Sequence, residues 1–435
     1  MNWLIENVAY FDGIHNTCME RGYVLVRDGK IEALGAGEAP LCDASYERID
    51  GKDRLLLPGF INTHGHAAMS LLRGYADDLP LHTWLKDLIW PAEAVLSPDD
   101  IELGTELAML EMLETGTTTF TDMYADMDRV ANATIRAGMR AVLGRGLIGF
   151  DDVNLEKLAE SESFVRMYEG AGEGLIHTTF APHAPYTCPP DYLKHVITRS
   201  QQLAVPLQIH IAETAKEVAD SYSEYGKSPV ELLYETGLFE CQIIGAHCVH
   251  LTDRDIELMA EHHVHVAHNP GSNLKLGSGI APLRKLLEQN IVVGLGTDGA
   301  ASNNKLDLYE ELRLVALLHK GVEQDATAID AFSALRLVTN EGAKTLFLDP
   351  MLGTLQPGAP ADFQFIDISG PRYYPRHNLL SHIVYSSHGG DVTDVFVAGK
   401  PLFRKREHLT LDKEKVFYNV KRVVQKFPLS QRVNV

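Results

Sequence analysis

Eight short apolar runs, each closing on polar or ionisable residues and each followed by a longer amphipathic stretch, constrain this chain more than any other feature. They are GFINTHGH (59–66), TTTFTD (117–122), RAVLGRG (140–146), HTTFAPH (177–183), LQIHIAE (207–213), IIGAHCVH (243–250), VHVAHNP (264–270) and VVGLGTDG (292–299). Between them lie helical patterns such as DDIELGTELAMLEMLETG, which follows Ser97-Pro98 and stops at Gly116, and PPDYLKHVITRSQQLA, which opens on a proline pair. Eight strands alternating with helices predict a closed (β/α)8 TIM barrel over residues 58–346. The flanks read differently. Residues 1–57 hold the β-like runs VAYFDG, YVLVRDGKIEALG and RLLLPG, and the tail returns to β character in GAPADFQFID and DVTDVFVAGKPLF. Residues 1–57 and 347–435 are therefore expected to build one small β-sandwich domain from both chain ends.

Composition removes several classes of function. Hydrophobic residues are 45% and charged residues 23%, which fits neither a disordered chain nor a coiled coil. Lys and Arg number 39 against 59 Asp and Glu, and a net charge of −20 repels phosphate backbones and anionic lipid. Neither nucleic acid nor membrane is expected as a partner. Five cysteines without a C-x-x-C pair exclude a disulfide framework or a thiolate zinc knuckle. Cys188 and Cys248, near strand ends, have no dedicated base and read as buried small side chains. No G-x-G-x-x-G follows a strand, so no dinucleotide is implied. The opening MNWLIENVAYFDG already carries Glu6 and Asp12 and lacks a basic leader, which sets the expectation of a cytoplasmic protein.

In a barrel of this kind the chemistry sits at the C-terminal ends of the strands. The first run ends in His64-Gly65-His66, and alternation puts residues i and i+2 on one side, so two imidazoles face one point. The fifth run supplies His210 and Glu213, the sixth His247, the eighth Asp298, and His183 closes the fourth. A lone histidine among 19 would be an ordinary core or surface residue. Registry of His64, His66, His210 and Asp298 with the ends of three strands instead points to a metal site. Three imidazoles and a carboxylate suit one divalent ion, zinc first, with Fe2+ also acceptable to such ligands.

The segments PGFINTHGHAAMSLLRG, APHAPYTC, QIHIAET, AHCVH, HNPGSNLKLGSG and GLGTDGAASNNKLDLYEEL resemble the amidohydrolase superfamily, and within it the 5-methylthioadenosine/S-adenosylhomocysteine deaminases, over nearly the whole chain. The resemblance implies a mononuclear site with His64, His66, His210 and Asp298 as ligands. Binuclear relatives carry a carboxylated lysine at the fourth strand end, where this chain has Ala-Pro-His-Ala; its next lysine, Lys194, lies in a helical pattern. The implied reaction is hydrolytic deamination of an adenine nucleoside (5′-methylthioadenosine, S-adenosylhomocysteine or adenosine) by a metal-activated water, and the implied assembly is a homo-oligomer, a dimer or larger.

The resemblance also distributes roles. Asp298 is ligand and base, Glu213 carries a proton to the ring, and His247 holds the attacking oxygen. His183 contacts the purine or ribose side. Glu213 could equally cap the following helix, and His183 could bond backbone in a loop. In the long segment DDLPLHTWLKDLIWPAEAVLS, Trp84 and Trp90 are suited to wall off an alkylthio group, and Glu93 matches a glutamate that accepts the ribose hydroxyls, or else is a helix-start acid. Arg145 matches an arginine near the amino-acid tail of the larger substrate. The family's second arginine is missing: LIGFDDVNLEKLAES offers none and is acidic at Asp151 and Asp152. A neutral 5′ tail is therefore expected over S-adenosylhomocysteine. HNPGSNLKLGSG has the composition of an ordinary loop and receives no catalytic role. Close rivals are an aminohydrolase or chlorohydrolase of a free base or triazine-like ring. A non-catalytic barrel would be expected to lose the ligands that this chain keeps.

Overall fold

The computed structural model describes residues 1–42, 44–348 and 350–427; the end of the predicted C-terminal domain portion, 428–435, lies outside them. Five strands open the chain: β1 (Asn2–Phe11), β2 (Cys18–Arg27), β3 (Lys30–Ala36), β4 (Tyr46–Asp50) and β5 (Arg54–Pro58). The barrel follows with β6 (Phe60–Asn62), β7 (Thr117–Tyr124), β8 (Arg140–Leu147), β9 (Ile176–Thr178), β10 (Ala181–Pro182), β11 (Leu207–Ile211), β12 (Ile243–His247), β13 (His265–His268) and β14 (Val293–Leu295). Four more strands end the sheet region: β15 (Phe363–Asp367), β16 (Val392–Val397), β17 (Lys400–Arg404) and β18 (Glu407–His408).

The barrel strands pair in parallel, β6 to β7 to β8 to β9 and β10, then β11 to β14 in order. Two seams close the ring. The amide of Gln208 donates to Phe180 O at 2.9 Å, and that of Thr63 donates to Leu295 O at 3.0 Å. All eight apolar runs are barrel staves, the fourth split between β9 and β10. The helix after the first stave, Pro98–Glu114, starts on a reciprocal Ser97–Asp100 cap with Pro98 in its first turn. It stops before Gly116, whose φ is +84° and where a Cβ would stand 1.9 Å from the Gln364 side chain.

Both chain ends meet in one nine-stranded sheet, in the order β18, β17, β16, β15, β5, β1, β2, β3, with β4 alongside β1. The strand alternation decides what each face buries. Leu56, Phe363, Phe365 and Phe396 join Trp3 in a core internal to the sheet region, whereas Leu55, Leu57, Ile366 and Val395 turn to the barrel's core. The two regions are also pinned by a buried ion pair: Arg140, at the start of β8, donates to both oxygens of Asp362, at 2.5 and 3.3 Å. The last helix, Lys413–Val423, lies against the barrel helix Pro98–Glu114, tied by Lys413 to Glu114 at 2.7 Å. Among the described residues no helix is long and apolar enough to cross a membrane.

Candidate active site

The strand ends deliver the predicted ionisable groups to one place. His64 and His66 follow β6, and Asp298 Oδ1 lies 3.5 Å from His64 Nε2 and 3.2 Å from His66 Nε2. The His64 and His210 rings are 4.9 Å apart between centroids, and those of His66 and His210 5.5 Å. Two of the rings are turned by a bond on the far nitrogen. His66 Nδ1 donates to Met123 O and His210 Nδ1 to His183 O, both at 2.7 Å, which leaves Nε2 with a free lone pair facing inward. Burial favours the neutral, ligating form of two rings, pushing the His64 imidazole down to about 4 and that of His210 well below its usual value, whereas at His66 burial is outweighed by the Asp298 carboxylate, which raises that imidazole to about 9.

This donor set fits a divalent cation. His64 Nε2 is buried and, among the described residues, lacks a hydrogen-bond partner, an arrangement costly for a polar atom that no ligand ever meets. His64 offers a ring nitrogen within 4.8 Å of donor atoms of His66 and Asp298, and one within 4.8 Å of those of His210 and His247. Three imidazoles and a carboxylate are the ligand chemistry of zinc and its first-row neighbours. Lys194 plays no part there: it sits on the helix Pro190–Leu203, exposed and bonded to Asp191.

Around this centre the strand ends depart from ordinary strand geometry. Ala212, His247, Cys248 and Asp298 all have positive φ, at 50°, 71°, 50° and 60°. Non-glycine residues take this conformation rarely, and it turns the chain sharply so that the side chains face the barrel mouth. Asp298 Oδ2 accepts from Ser272 Oγ at 2.7 Å and Ser302 Oγ at 2.8 Å, leaving Oδ1 to the histidines. His247 Nδ1 donates to Asn273 Oδ1 at 2.7 Å. Glu213 accepts from Ser278 Oγ at 3.1 Å, and its other oxygen stands 4.0 Å from His247 Nε2. Burial raises the Glu213 carboxyl, so a proton is held there more readily than on a free glutamate.

The helix-cap alternative for Glu213 is excluded, because Thr214 caps the helix Ala215–Tyr225 by accepting from the Glu217 amide. Glu217 instead anchors the site, its two oxygens accepting from the amides of Ala212 and Glu213 at 3.0 and 2.8 Å. His183 likewise bonds a side chain, Thr187 Oγ1 at 3.0 Å, and burial pushes its imidazole down to about 4.

A cavity of about 380 Å³ runs outward from these groups. Trp84, Trp90, Glu93, Arg145 and His183 all border it. Trp84 is buried and opens a wide π turn, Trp84–Ile89, that forms part of the wall with the adjoining Trp90–Glu93. Glu93 accepts a hydrogen bond from the hydroxyl of Tyr124, and burial raises its carboxyl. Farther out Arg145 Nη2 is 2.5 Å from Glu160 Oε2, and both Asp126 and Lys157 border the cavity beside it. Cys188 and Cys248 are fully buried, with thiols raised by desolvation, which suits packing rather than nucleophilic attack.

Several contributors were not read from the sequence. Tyr124 lies two residues past the predicted end of the second strand, at Asp122; extending the TTTFTD alternation through Met123-Tyr124 would have found it. Lys157 stands in a stretch read for its missing arginine. The largest revision concerns HNPGSNLKLGSG. Its first part is the helix Pro270–Lys275, and the segment supplies Ser272 to Asp298, Asn273 to His247 and Ser278 to Glu213. It orients three of the candidate catalytic side chains, although none of its own residues was assigned a role.

Known proteins are similar to this chain in sequence and in fold. The Amidohydrolase family model matches residues 55–402. A 5-methylthioadenosine/S-adenosylhomocysteine deaminase of Syntrophomonas wolfei subsp. wolfei is 44% identical over 429 residues, covering 98% of this chain and 99% of that protein. The protein of the same description from Desulforudis audaxviator is 47% identical over 406 residues, covering 93% and 94%. Among solved structures, an adenosine deaminase from Xanthomonas campestris with bound zinc superposes with a TM-score of 0.92 at 37% identity, covering 98% of each chain. With the family model spanning most of the chain and these relatives matching almost end to end, this protein belongs to the amidohydrolase family.

Proposed function

We propose that the chain is a cytoplasmic, metal-dependent deaminase of adenine nucleosides with one divalent ion, zinc in the first instance, held by His64, His66, His210 and Asp298. When bound, the ion supplies a water acidified toward neutral pH and a positive charge against the developing oxyanion. Everything else falls to the chain's own residues. Asp298 Oδ2 is occupied by two hydroxyls, so Oδ1 is the oxygen that receives the water's proton and passes it to the departing amine. Glu213, whose carboxyl is raised by burial, delivers a proton to the ring nitrogen next to the attacked carbon, so that negative charge does not build on the ring. His247, fixed through Asn273, holds the attacking oxygen with its inward nitrogen. Loss of ammonia, with the proton left on the added oxygen returning to Glu213, then leaves the hypoxanthine ring.

The observation that carries the nucleoside reading is Glu93, a carboxylate set in the cavity wall and held there by Tyr124, whose ring centroid is 6.4 Å from that of His66. One carboxylate can accept from two vicinal hydroxyls. A free base or a triazine would enclose Glu93 without offering it a diol, and burying an unmatched carboxylate is costly. His183 is suited to contact the purine or ribose side, and Trp84 to border an apolar 5′ substituent.

At the outer end, two cations (Arg145, Lys157) are balanced by two carboxylates (Asp126, Glu160), and Arg145 is already engaged. A carboxylate tail meets no net positive charge there, which favours 5′-methylthioadenosine or adenosine over S-adenosylhomocysteine. The test is ammonia release with the ultraviolet change from adenine to hypoxanthine, on these three nucleosides, guanine and cytosine, with zinc-loaded and chelator-stripped protein. Fastest turnover of a neutral-tailed nucleoside, lost on stripping, supports the assignment; turnover of a free base alone overturns it. Equal kcat/KM on all three nucleosides overturns the tail preference.

A further inference from the structure

Ser272, Asn273, Ser278 and Ser302 orient the catalytic groups, but they sit on two short segments rich in Gly, Ser and Asn that have little core of their own. One buried carboxylate joins the two segments. Glu311, on the helix Leu308–Glu323, is 1% exposed, and its hydrogen-bond partners Gly271 and Asn303 are not residues assigned to chemistry. Its Oε2 accepts from the amide of Gly271 at 2.8 Å, and its Oε1 accepts from Asn303 Nδ2 at 2.7 Å. Asn303 Nδ2 also donates to Thr297 O at 2.8 Å, beside Asp298. The approach is too close for a side chain at residue 271: a Cβ on Gly271 would lie 2.3 Å from Glu311 Oε1 and 2.8 Å from the Asn303 amide.

We propose that Glu311 is a positioning residue for the deamination, a latch that holds the segments 271–278 and 297–303 together so that Asp298, His247 and Glu213 keep their orientation before substrate arrives. The inference rests on the deaminase reading for its kinetic form. A helix carboxylate with a packing role only would need neither two acceptor bonds to separate site-bearing segments nor a glycine opposite. In its place the catalytic groups would lose alignment, not identity, and misalignment is felt in kcat more than in KM.

The experiment compares wild type, Glu311→Gln and Asn303→Ala, each assayed for metal content, thermal midpoint and steady-state kinetics with 5′-methylthioadenosine. Glutamine keeps the shape but turns one accepting oxygen into a donor that opposes Gly271 N–H or the Asn303 amide. The expected result for E311Q is a kcat lowered about 10- to 100-fold per metal-loaded, folded chain, with KM changed by less than about threefold. N303A, which removes one arm of the latch from a less buried position, should lower kcat in the same direction by less and keeps the proposal testable if E311Q does not fold. Wild-type kcat in both variants, or losses that only track metal content and unfolding, would overturn the latch. Visible absorption of the Co2+-loaded protein reads Asp298 without any substrate: an altered band in the variants is expected, and an unchanged band overturns the proposal. A wild type silent on every adenine nucleoside but with an altered variant band would instead sink the deaminase reading alone.

Discussion

The inner and outer ends of the cavity are built on opposite principles. At the inner end His64, His210, Glu213, His247 and Asp298 are all buried, and four of the five have a hydrogen bond that sets their orientation. At the outer end the Arg145 side chain is 24% exposed and its partner Glu160 61%, and the neighbouring wall is a series of short turns carrying Trp84 and Trp90. The inner end is organised before a substrate enters, as electrostatic catalysis requires. The outer end leaves long side chains with rotamer freedom, so which tail is accepted can change by single substitutions without touching the chemistry.

Breaking the inner end should therefore be severe and uniform over substrates. Asp298→Asn retains the size of the side chain but removes the base and weakens the donor set, and kcat should fall about 10⁴-fold for every nucleoside. Glu213→Gln, which leaves the metal ligands intact, should cost about 10²- to 10³-fold in kcat while metal content stays at the wild-type level. Equal metal content with unchanged turnover in E213Q would assign the ring proton to another group and dissolve the contrast between a fixed acid and a tunable rim.

The middle of the cavity sharpens the comparison. Glu93→Gln should lower kcat/KM for ribonucleosides about 10- to 100-fold, chiefly through KM, because it removes a charged acceptor for two hydroxyls. Against 2′-deoxyadenosine the loss should be smaller, since one of those hydroxyls is absent. A loss of the same size on both substrates would mean that Glu93 supports the wall rather than binding the sugar.

Much of this plan was legible because the relevant signals are local. A strand that ends in His-x-His places two imidazoles on one side whatever the rest of the chain does, and all eight apolar runs became staves. The orienting groups were illegible for the converse reason. Glu311 sits in a helical pattern where a glutamate usually faces solvent, and only tertiary packing puts it against the Gly271 amide. Glu311 meets Gly271 across 40 residues of sequence. Ser272, Asn273 and Ser278 look like loop formers because the same small polar side chains that favour turns also make compact donors and acceptors. Composition cannot separate those two uses; the position of Asp298 and His247 above them does.

The smallest expected effect tests the outer end directly. Arg145 and Glu160 form a partly exposed pair, and pairs of that kind contribute little to stability, about 0–1 kcal/mol. Glu160→Gln should accordingly leave the thermal midpoint within a few degrees of wild type and change 5′-methylthioadenosine turnover hardly at all, because a neutral tail does not compete for the guanidinium. S-Adenosylhomocysteine does compete, and freeing Arg145 while Lys157 stays beside it turns a balanced rim into a positive one. Its kcat/KM should rise about two- to fivefold, the factor that up to about 1 kcal/mol provides. A rise shared by both substrates would trace the effect to access through the cavity mouth. No rise for S-adenosylhomocysteine would mean that Asp126, not Glu160, sets the charge a tail meets there, and Asp126→Asn would then be the substitution that shifts the preference.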